Sequence, residues 1–324
     1  MMKKYQVSDG MGLTVTVIPK GATITSICFQ NKELTLGYSD INDYLSDDFY
    51  LGATVGRYAN RIKNGKFSLD EHTHQLSVNQ LPHCLHGGEN NFSKRLWSVT
   101  EITDSEIELH IISEDGDQGF PGTLEVWHRI RVSNNKVYLS YRAFSDKDTV
   151  VNLTNHCYFN LEENSLSINE HQLKIEAEAF LPIDENGIPL IKQSLSEHKA
   201  FDYSEFKLIE HSLCSDHEQI KIANGIDHCF TLNVQHQHQH QHALELAAQL
   251  ISPKSQLKLS VYTTLPGLQV YTGNYLSDPF LPKQGICLEA QFWPDSPNRA
   301  EFPSVKLCAG EEYFHEIIYE ISRL

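Results

Sequence analysis

The 324-residue chain has little positive charge, and this shortage excludes several classes of function. It has 26 lysines and arginines against 42 aspartates and glutamates, so its formal net charge is −16. Nucleic acids and anionic membrane surfaces are therefore not expected as partners. No apolar run is long enough to span a bilayer, and no signal-peptide core follows the N-terminal residues. We therefore expect a cytoplasmic protein.

Motifs for cofactors and activated nucleophiles are also missing. No GxGxxG follows a strand, and GxxxxGK[ST], GxSxG and HExxH are absent. The seven cysteines have scattered spacings and no CxxC pair, which predicts reduced thiols. His83 and His86 flank Cys84, and a glutamine–histidine tract occupies residues 235–242. These histidines leave a metal-dependent enzyme as an alternative, but a turn and a solvated loop explain them more simply. We expect no cofactor and no metal.

Apolar and polar residues alternate with a period of two through much of the chain, which is typical of half-buried antiparallel strands. Strands are predicted within residues 13–17, 107–111, 124–132, 137–143, 173–179 and 257–261. Helical periodicity is scarce, and short helices are predicted only near 40–46 and 202–209. No linker or change in composition divides the chain. We therefore predict an all-β protein, a large antiparallel sandwich that forms a single domain over residues 1–324.

Two strand-like segments carry titratable residues in apolar surroundings. Residues 150–161 place His156 among asparagines, and residues 287–295 place Glu289 beside leucine, alanine and phenylalanine. An isolated buried histidine is more often a hydrogen-bonded core residue than a catalytic one. A carboxylate is harder to explain as a core residue, because burying it without a partner is costly. A histidine and a carboxylate in contrasting surroundings are a candidate acid–base pair.

Four further polar clusters interrupt apolar strands, at residues 56–62, 81–88, 225–230 and 263–274. They supply arginine, histidine, aspartate and glutamine side chains, which hydrogen-bond well to the hydroxyls of a hexose. The aromatic residues that would cover the apolar face of such a ring are Tyr58, Tyr158, Phe292 and Trp293. Taken singly, each cluster is also explained by a turn or a surface strand. Their combination favours a sugar site.

Six ordered motifs resemble those of the aldose 1-epimerase family, which includes the galactose mutarotases. They occur at residues 52–62, 85–88, 115–122, 152–156, 266–274 and 302–304. The resemblance implies a β-sandwich with a sugar cleft, in which Glu289 is the catalytic base and His156 the catalytic acid. It also implies sugar-binding roles for the positions Arg61, His86, Asp227 and Gln269, with Asn60 and Tyr158 as helpers. Ile226 departs from the pattern, since a tyrosine is expected before the Asp227–His228 pair.

The resemblance implies that a cyclic aldose is the substrate and that its α and β anomers are interconverted. Glu289 is expected to be ionised and His156 protonated when the reaction begins. Two alternatives remain: an epimerase for hexose 6-phosphates, and a sugar-binding module without catalytic activity. The preferred aldose is not determined by the sequence, and either a monomer or a homodimer is compatible with it.

Overall fold

The computed structural model describes residues 2–163, 165–232 and 243–324. Antiparallel strands account for most of its regular structure. In chain order the strands are β1 (Tyr5–Ser8), β2 (Leu13–Ile18), β3 (Thr23–Phe29), β4 (Lys32–Glu33), β5 (Thr54–Val55), β6 (Arg61–Ile62), β7 (Lys66–Leu69), β8 (His72–Gln75), β9 (Cys84–Leu85), β10 (Ser98–Ile102), β11 (Glu106–Ser113), β12 (Leu124–Ser133), β13 (Lys136–Ser145), β14 (Thr149–Val150), β15 (Thr154–Asn155), β16 (Tyr158–Phe159), β17 (Gln172–Ile175), β18 (Ala177–Leu181), β19 (Gln193–Ser194), β20 (Lys207–Leu208), β21 (Asp227–Leu232), β22 (Glu245–Ser252), β23 (Leu257–Thr263), β24 (Gly267–Tyr271), β25 (Ile286–Gln291), β26 (Lys306–Leu307) and β27 (Glu312–Arg323).

Helices are few and short in the described part of the chain. The α-helices are α1 (Ile209–Leu213) and α2 (Glu218–Ala223). Short 3-10 helices lie at Ile41–Ser46, Lys63–Gly65, Phe92–Lys94, Asp117–Gly119, Leu195–Glu197 and Ser296–Asn298. Among the described residues, no helix is long and apolar enough to cross a membrane.

Two large sheets organise the fold. The larger sheet has nine strands in the order β10-β11-β12-β13-β27-β23-β22-β17-β20, and the other has six in the order β16-β25-β24-β21-β18-β19. A four-stranded meander, β1-β2-β3-β4, and several two-stranded ladders complete the arrangement. One continuous hydrophobic cluster contains inward-facing residues of both large sheets, such as Ile317 of β27 and Leu288 of β25. This cluster is the apolar layer of a β-sandwich.

The predicted strands are confirmed, with one adjustment. Residues 173–179 form two strands, β17 and β18, which belong to different sheets. The predicted helix at 40–46 is a 3-10 helix, and the Asp40 side chain caps it by accepting from the Asn42 amide. The helix predicted at 202–209 is wrong, because residues 207–208 pair with β17 as β20 and helix α1 begins only at Ile209.

The thiol prediction is confirmed, since all seven cysteines lie in the described part of the chain and are free. The tract at 235–242 lies outside the described residues.

Buried histidines make the stability of the fold depend on pH. His128 of β12 is fully buried and stacks on its cross-strand partner Tyr141, with ring centroids 4.2 Å apart. Burial lowers the pKa of His128 from 6.5 to about 4, because a charged imidazole cannot be hydrated there. The folded protein therefore protonates His128 at a lower pH than the unfolded chain does.

We predict that stability declines between about pH 6.5 and pH 4, with His128 contributing on the order of 3 kcal/mol to the loss. The variant His128→Phe keeps an aromatic ring against Tyr141, but the new side chain cannot titrate. Chemical unfolding at several pH values should show a flatter dependence for this variant than for the parent. A loss of stability that is equally steep in the variant and in the parent would contradict the assignment.

Candidate active site

The centre of the six-stranded sheet presents polar residues on one face. Strand β25 is buried on both faces, and Leu288 joins the hydrophobic cluster while Cys287 and Glu289 point to the other side. The register places Glu289 directly opposite Gln269 of β24. Asp227 of β21 is opposite Tyr271 of the same strand β24. Antiparallel pairing thus collects side chains from three distant segments of the sequence on one surface.

His156 is fixed by the backbone on both sides. It lies in the connection between β15 and β16, and its amide donates to the Ala53 carbonyl while its carbonyl accepts from the Gly52 amide. The Asn155 side chain strengthens this attachment by donating to the Gly52 carbonyl and accepting from the Cys157 amide. The asparagine next to His156 is therefore a positioning element for the histidine.

The two predicted catalytic residues face each other. His156 Nε2 lies 3.7 Å from Glu289 Oε1, and the two residues are only 4% and 2% exposed. Burial lowers the pKa of His156 to about 4. Burial, and secondarily the charge of Asp227, raises the pKa of Glu289 well above its ordinary value, and Arg61 opposes that shift.

The protonation state expected from the sequence is therefore corrected for the site without sugar. A charged His156 and an ionised Glu289 were predicted, but these pKa shifts favour a neutral imidazole and a protonated carboxyl group. Desolvation penalises both charged forms because both side chains are buried. The neutral pair and the ion pair contain the same number of protons, so moving one proton interconverts them.

Arg61, Asn60 and His86 form one wall of the site. Arg61 Nε donates to the Gln80 side chain over 2.7 Å. The backbone amide of Arg61 donates to Asn60 Oδ1. The Asn60 amide in turn donates to His86 Nδ1, which leaves the Nε2 edge of that ring for a ligand. Burial lowers the pKa of His86 well below its ordinary value, so this imidazole is neutral.

A close glycine contact fixes the Arg61 guanidinium. A β-carbon built on Gly187 would lie 2.8 Å from Arg61 Cζ, and Gly187 has a φ of +76°. The loop that carries Gly187 is therefore packed against the planar face of the guanidinium. Any larger residue would displace either the loop or Arg61.

Asp227 and Gln269 form a second polar group at the site, on the neighbouring strands β21 and β24. Gln269 Nε2 donates to Asp227 Oδ1 over 2.6 Å. Burial raises the pKa of Asp227, while Arg61 and the hydrogen bond from Gln269 counteract the shift. Gln269 Oε1 and Glu289 Oε2 are buried, and neither has a hydrogen-bond partner in the described part of the chain. Buried polar atoms of this kind normally bind water or a ligand.

A cavity of about 370 Å³, a size suited to a small molecule, lies among these residues. Every predicted site residue except Gln269 lines it, and Gln269 contacts two of the lining residues, as the donor to Asp227 and the cross-strand partner of Glu289. Tyr158 contributes only its ring, because its hydroxyl donates to the Phe49 carbonyl. The lining is completed by residues that the sequence analysis missed: Asp48, Phe49, Tyr50, Gln80, Leu85, Tyr271 and Tyr275. A larger depression of about 840 Å³, near β3 and β4, has no histidine in its lining.

The predicted aromatic platform is largely wrong. Tyr58 is buried with its hydroxyl donating to the Trp293 carbonyl, Phe292 packs on His315, and Trp293 packs on Phe302. Tyr50 lines the cavity instead, with its ring 4.6 Å from that of His86 and 5.8 Å from that of His156. 

The sequence held a signal for one of the missed aromatic residues. Tyr271 lies two residues after Gln269, and residues spaced by two in a strand share a face. For Tyr50 we find no such signal, because its position depends on a left-handed backbone, with a φ of 58°.

Two further arginine and histidine candidates have structural roles. Arg57 is buried and donates to Ser113, Pro121 and Glu114, away from the cavity. His83 Nδ1 accepts from the Asn64 amide. 

Ile226 is fully buried, with its amide bonded to the Thr272 hydroxyl. The departure at this position thus affects core packing rather than the lining of the cavity.

Solved structures of sugar epimerases share this fold. An aldose epimerase homologue from C. elegans superposes with a TM-score of 0.91 at 28% identity, and the match covers 100% of both chains. A galactose 1-epimerase from Lactobacillus acidophilus superposes with a TM-score of 0.87 at 27% identity, covering 100% of this chain and 99% of that one. The architecture is therefore that of the galactose mutarotase-like β-sandwich.

Sequence comparisons give the family. The aldose 1-epimerase family model matches residues 3–320. The chain is 38% identical to an aldose 1-epimerase from Escherichia coli, over 94% of this chain and 91% of that protein. It is 37% identical to a galactose mutarotase from Bos taurus, over 99% of this chain and 94% of that protein. The chain belongs to the aldose 1-epimerase family.

The neutral pair can be tested directly. We predict that the His156 imidazole in the sugar-free protein stays neutral until the pH approaches about 4, because burial disfavours its charge. Nitrogen NMR of the labelled imidazoles, assigned with a His156→Gln variant, measures this titration. A His156 resonance that titrates near the ordinary histidine pKa of about 6.5 would show that the ring is hydrated.

Proposed function

We propose that this chain is an aldose 1-epimerase that opens and recloses the ring of a free hexose such as galactose or glucose. The observation that carries the proposal is the pair of Glu289 and His156, 3.7 Å apart, both lining one cavity. A carboxylate and an imidazole at this separation can serve two oxygen atoms of the same anomeric centre, the hydroxyl on C1 and the ring oxygen.

In the proposed reaction Glu289 removes the proton of the C1 hydroxyl, and His156 gives a proton to the ring oxygen. The bond between C1 and the ring oxygen breaks as the carbonyl forms. Rotation about the C1–C2 bond presents the other face of the aldehyde. Reversal of the two proton transfers closes the ring to the other anomer and restores both residues. Atoms and charges balance without any external reactant.

The proton inventory of the site supports this sequence of events. The sugar-free pair contains one proton that can move between the two groups; Glu289 holds it, and the reaction needs it on His156. Arg61 favours the ionised form of Glu289, and a sugar hydroxyl that donates to Glu289 Oε2 acts in the same direction. Sugar binding thus supplies the hydrogen bonds that the charged form needs. Arg61, Asn60, His86, Asp227 and Gln269 are proposed to hold the other hydroxyls.

The electrostatics of the cavity favour a neutral aldose over a hexose 6-phosphate. In the described residues that line the cavity, Arg61 is the only lysine or arginine, and it is accompanied by Asp48, Asp227 and Glu289. A phosphate dianion normally requires several cationic donors. Arg57 does not help, because its guanidinium is used by three backbone carbonyls and the Ser113 hydroxyl.

Polarimetry on freshly dissolved α-D-glucose, α-D-galactose and α-D-glucose 6-phosphate tests the function and its substrate class. We expect faster mutarotation of the two free sugars and little effect on the phosphorylated one. Binding of galactose without acceleration of mutarotation would instead identify a non-catalytic sugar-binding module.

The proposed base has a specific test. Glu289→Gln keeps the size of the side chain but cannot accept the proton, so kcat should fall by on the order of 10²–10⁴ while galactose still binds. Glu162→Gln is a matched control, since Glu162 is a buried carboxylate outside the cavity that bonds to Ser252 and Lys254. Polarimetry should detect the loss only in the first variant. Full activity in a folded Glu289→Gln protein would refute the role.

The contact between Gly187 and Arg61 predicts an effect on sugar binding. Gly187→Ala should raise KM for galactose by roughly tenfold, the equivalent of about 1.4 kcal/mol, because the new methyl group displaces the guanidinium. Gly116→Ala is a suitable control, because Gly116 has a similar φ of +83° but faces open space among the described residues. Both variants carry the same backbone strain, so an equal rise in KM for both would contradict the proposed role of the contact.

A further inference from the structure

One thiol lies against the proposed catalytic pair and has no part in the proposed reaction. Cys287 precedes Glu289 by two residues on β25, so their side chains lie on the same face of the strand. Its Sγ is 3.5 Å from His156 Nδ1, and His156 Nε2 is 3.7 Å from Glu289 Oε1. One ligand atom from each of the three residues can be chosen so that all lie within 4.8 Å of one another.

These separations approach those around a tetrahedral metal ion. Zn²⁺, with bond lengths of about 2.0–2.3 Å, holds neighbouring ligand atoms roughly 3.3–3.8 Å apart. The two measured contacts involve opposite nitrogens of the imidazole, and a single ion takes only one of them. With one atom from each residue the three atoms lie within 4.8 Å, so coordination requires the side chains to close in by about 1 Å. Thiolate, imidazole and carboxylate together favour zinc over harder cations.

A second observation points to a ligand at the same place. Glu289 is 98% buried, and its Oε2 atom lacks a hydrogen-bond partner among the residues that the structure describes. The nearby Asp227 adds to the negative field, as its effect on Glu289 indicates. A divalent cation would coordinate the orphaned oxygen, and its binding would release to solvent the protons of the Glu289 carboxyl group and the Cys287 thiol, whose pKa values burial raises. The cavity in front of the pair leaves a fourth coordination position for water.

We propose that Cys287, His156 and Glu289 form an inhibitory Zn²⁺ site that competes with the sugar for the catalytic pair. The bound ion occupies the imidazole nitrogen and the carboxylate oxygen between which the proton must move. Zinc and substrate therefore exclude each other. The binding of zinc stands on the geometry alone, whereas the inhibition rests on the proposed function.

The experiment must first remove the competing histidines of the 235–242 tract. A full-length background protein with His236, His238, His240 and His242 replaced by glutamine eliminates zinc binding by the tract. Isothermal titration of this protein with Zn²⁺ should give one site, and saturating galactose should weaken the apparent affinity. Mg²⁺ should give no comparable signal, because it prefers oxygen ligands in octahedral geometry.

Cysteine variants in that background identify the ligand. Cys287→Ala should weaken zinc binding by on the order of 100-fold and should make mutarotation insensitive to zinc, with basal activity kept. Cys287→Ser repeats the test with a side chain closer in size. Cys229→Ala is the matched control, since Cys229 is a buried cysteine opposite Gln269 and should leave zinc binding intact. Co²⁺ should give a thiolate charge-transfer band that only the Cys287 variants lose.

The outcomes separate the two proposals. Zinc binding that depends on Cys287 in a protein without mutarotase activity would support the metal site and refute the proposed function. Mutarotase activity with no zinc binding by the background protein, or with equal affinity in the Cys287 variants, would overturn the metal site. Inhibition by zinc that galactose does not relieve would overturn competition at the catalytic pair.

Discussion

The withdrawal of the Glu289 carboxyl group from water is the constraint on which the site depends. Strand β25 is buried on both faces, so a carboxyl group at its centre has only neighbouring side chains or a bound molecule for partners. The described residues provide an imidazole at 3.7 Å and the field of Arg61 but no hydrogen bond to Oε2. The protein therefore holds a group whose ionisation is unfavourable until a polar ligand arrives. In the proposed reaction, the sugar hydroxyl that donates to Glu289 is that ligand.

Alternation along the sequence was sufficient to predict the strands and the fold class, because one face of each sheet packs on a common core. It was not sufficient at residues 202–209, where two residues pair with β17 before the helix begins. It also gave no strand order. The six-stranded sheet joins β16 to β25 and β21 to β24, and such long-range neighbours depend on pairing that local patterns do not encode.

The polar members of the site were predicted better than the aromatic ones, for a physical reason. A buried acid or amide requires partners, so Glu289 and Gln269 are conspicuous in an apolar strand. An aromatic residue has a sufficient explanation in core packing, and Phe292 and Trp293 pack in this way. The neutral state of the sugar-free pair was not predicted, because it depends on the depth of burial, which distance along the sequence does not give.

Three residues of the cavity wall have left-handed backbone conformations: Tyr50, Asn60 and His86, with φ angles of 58°, 67° and 52°. Each such residue carries a conformational cost of about 1–2 kcal/mol, which the surrounding hydrogen bonds and packing must offset. That cost is borne when the chain folds and does not recur when a ligand enters. The wall is therefore preorganised, and in the proposed reaction the free energy released on binding remains available to favour the transition state of ring opening over the closed ring.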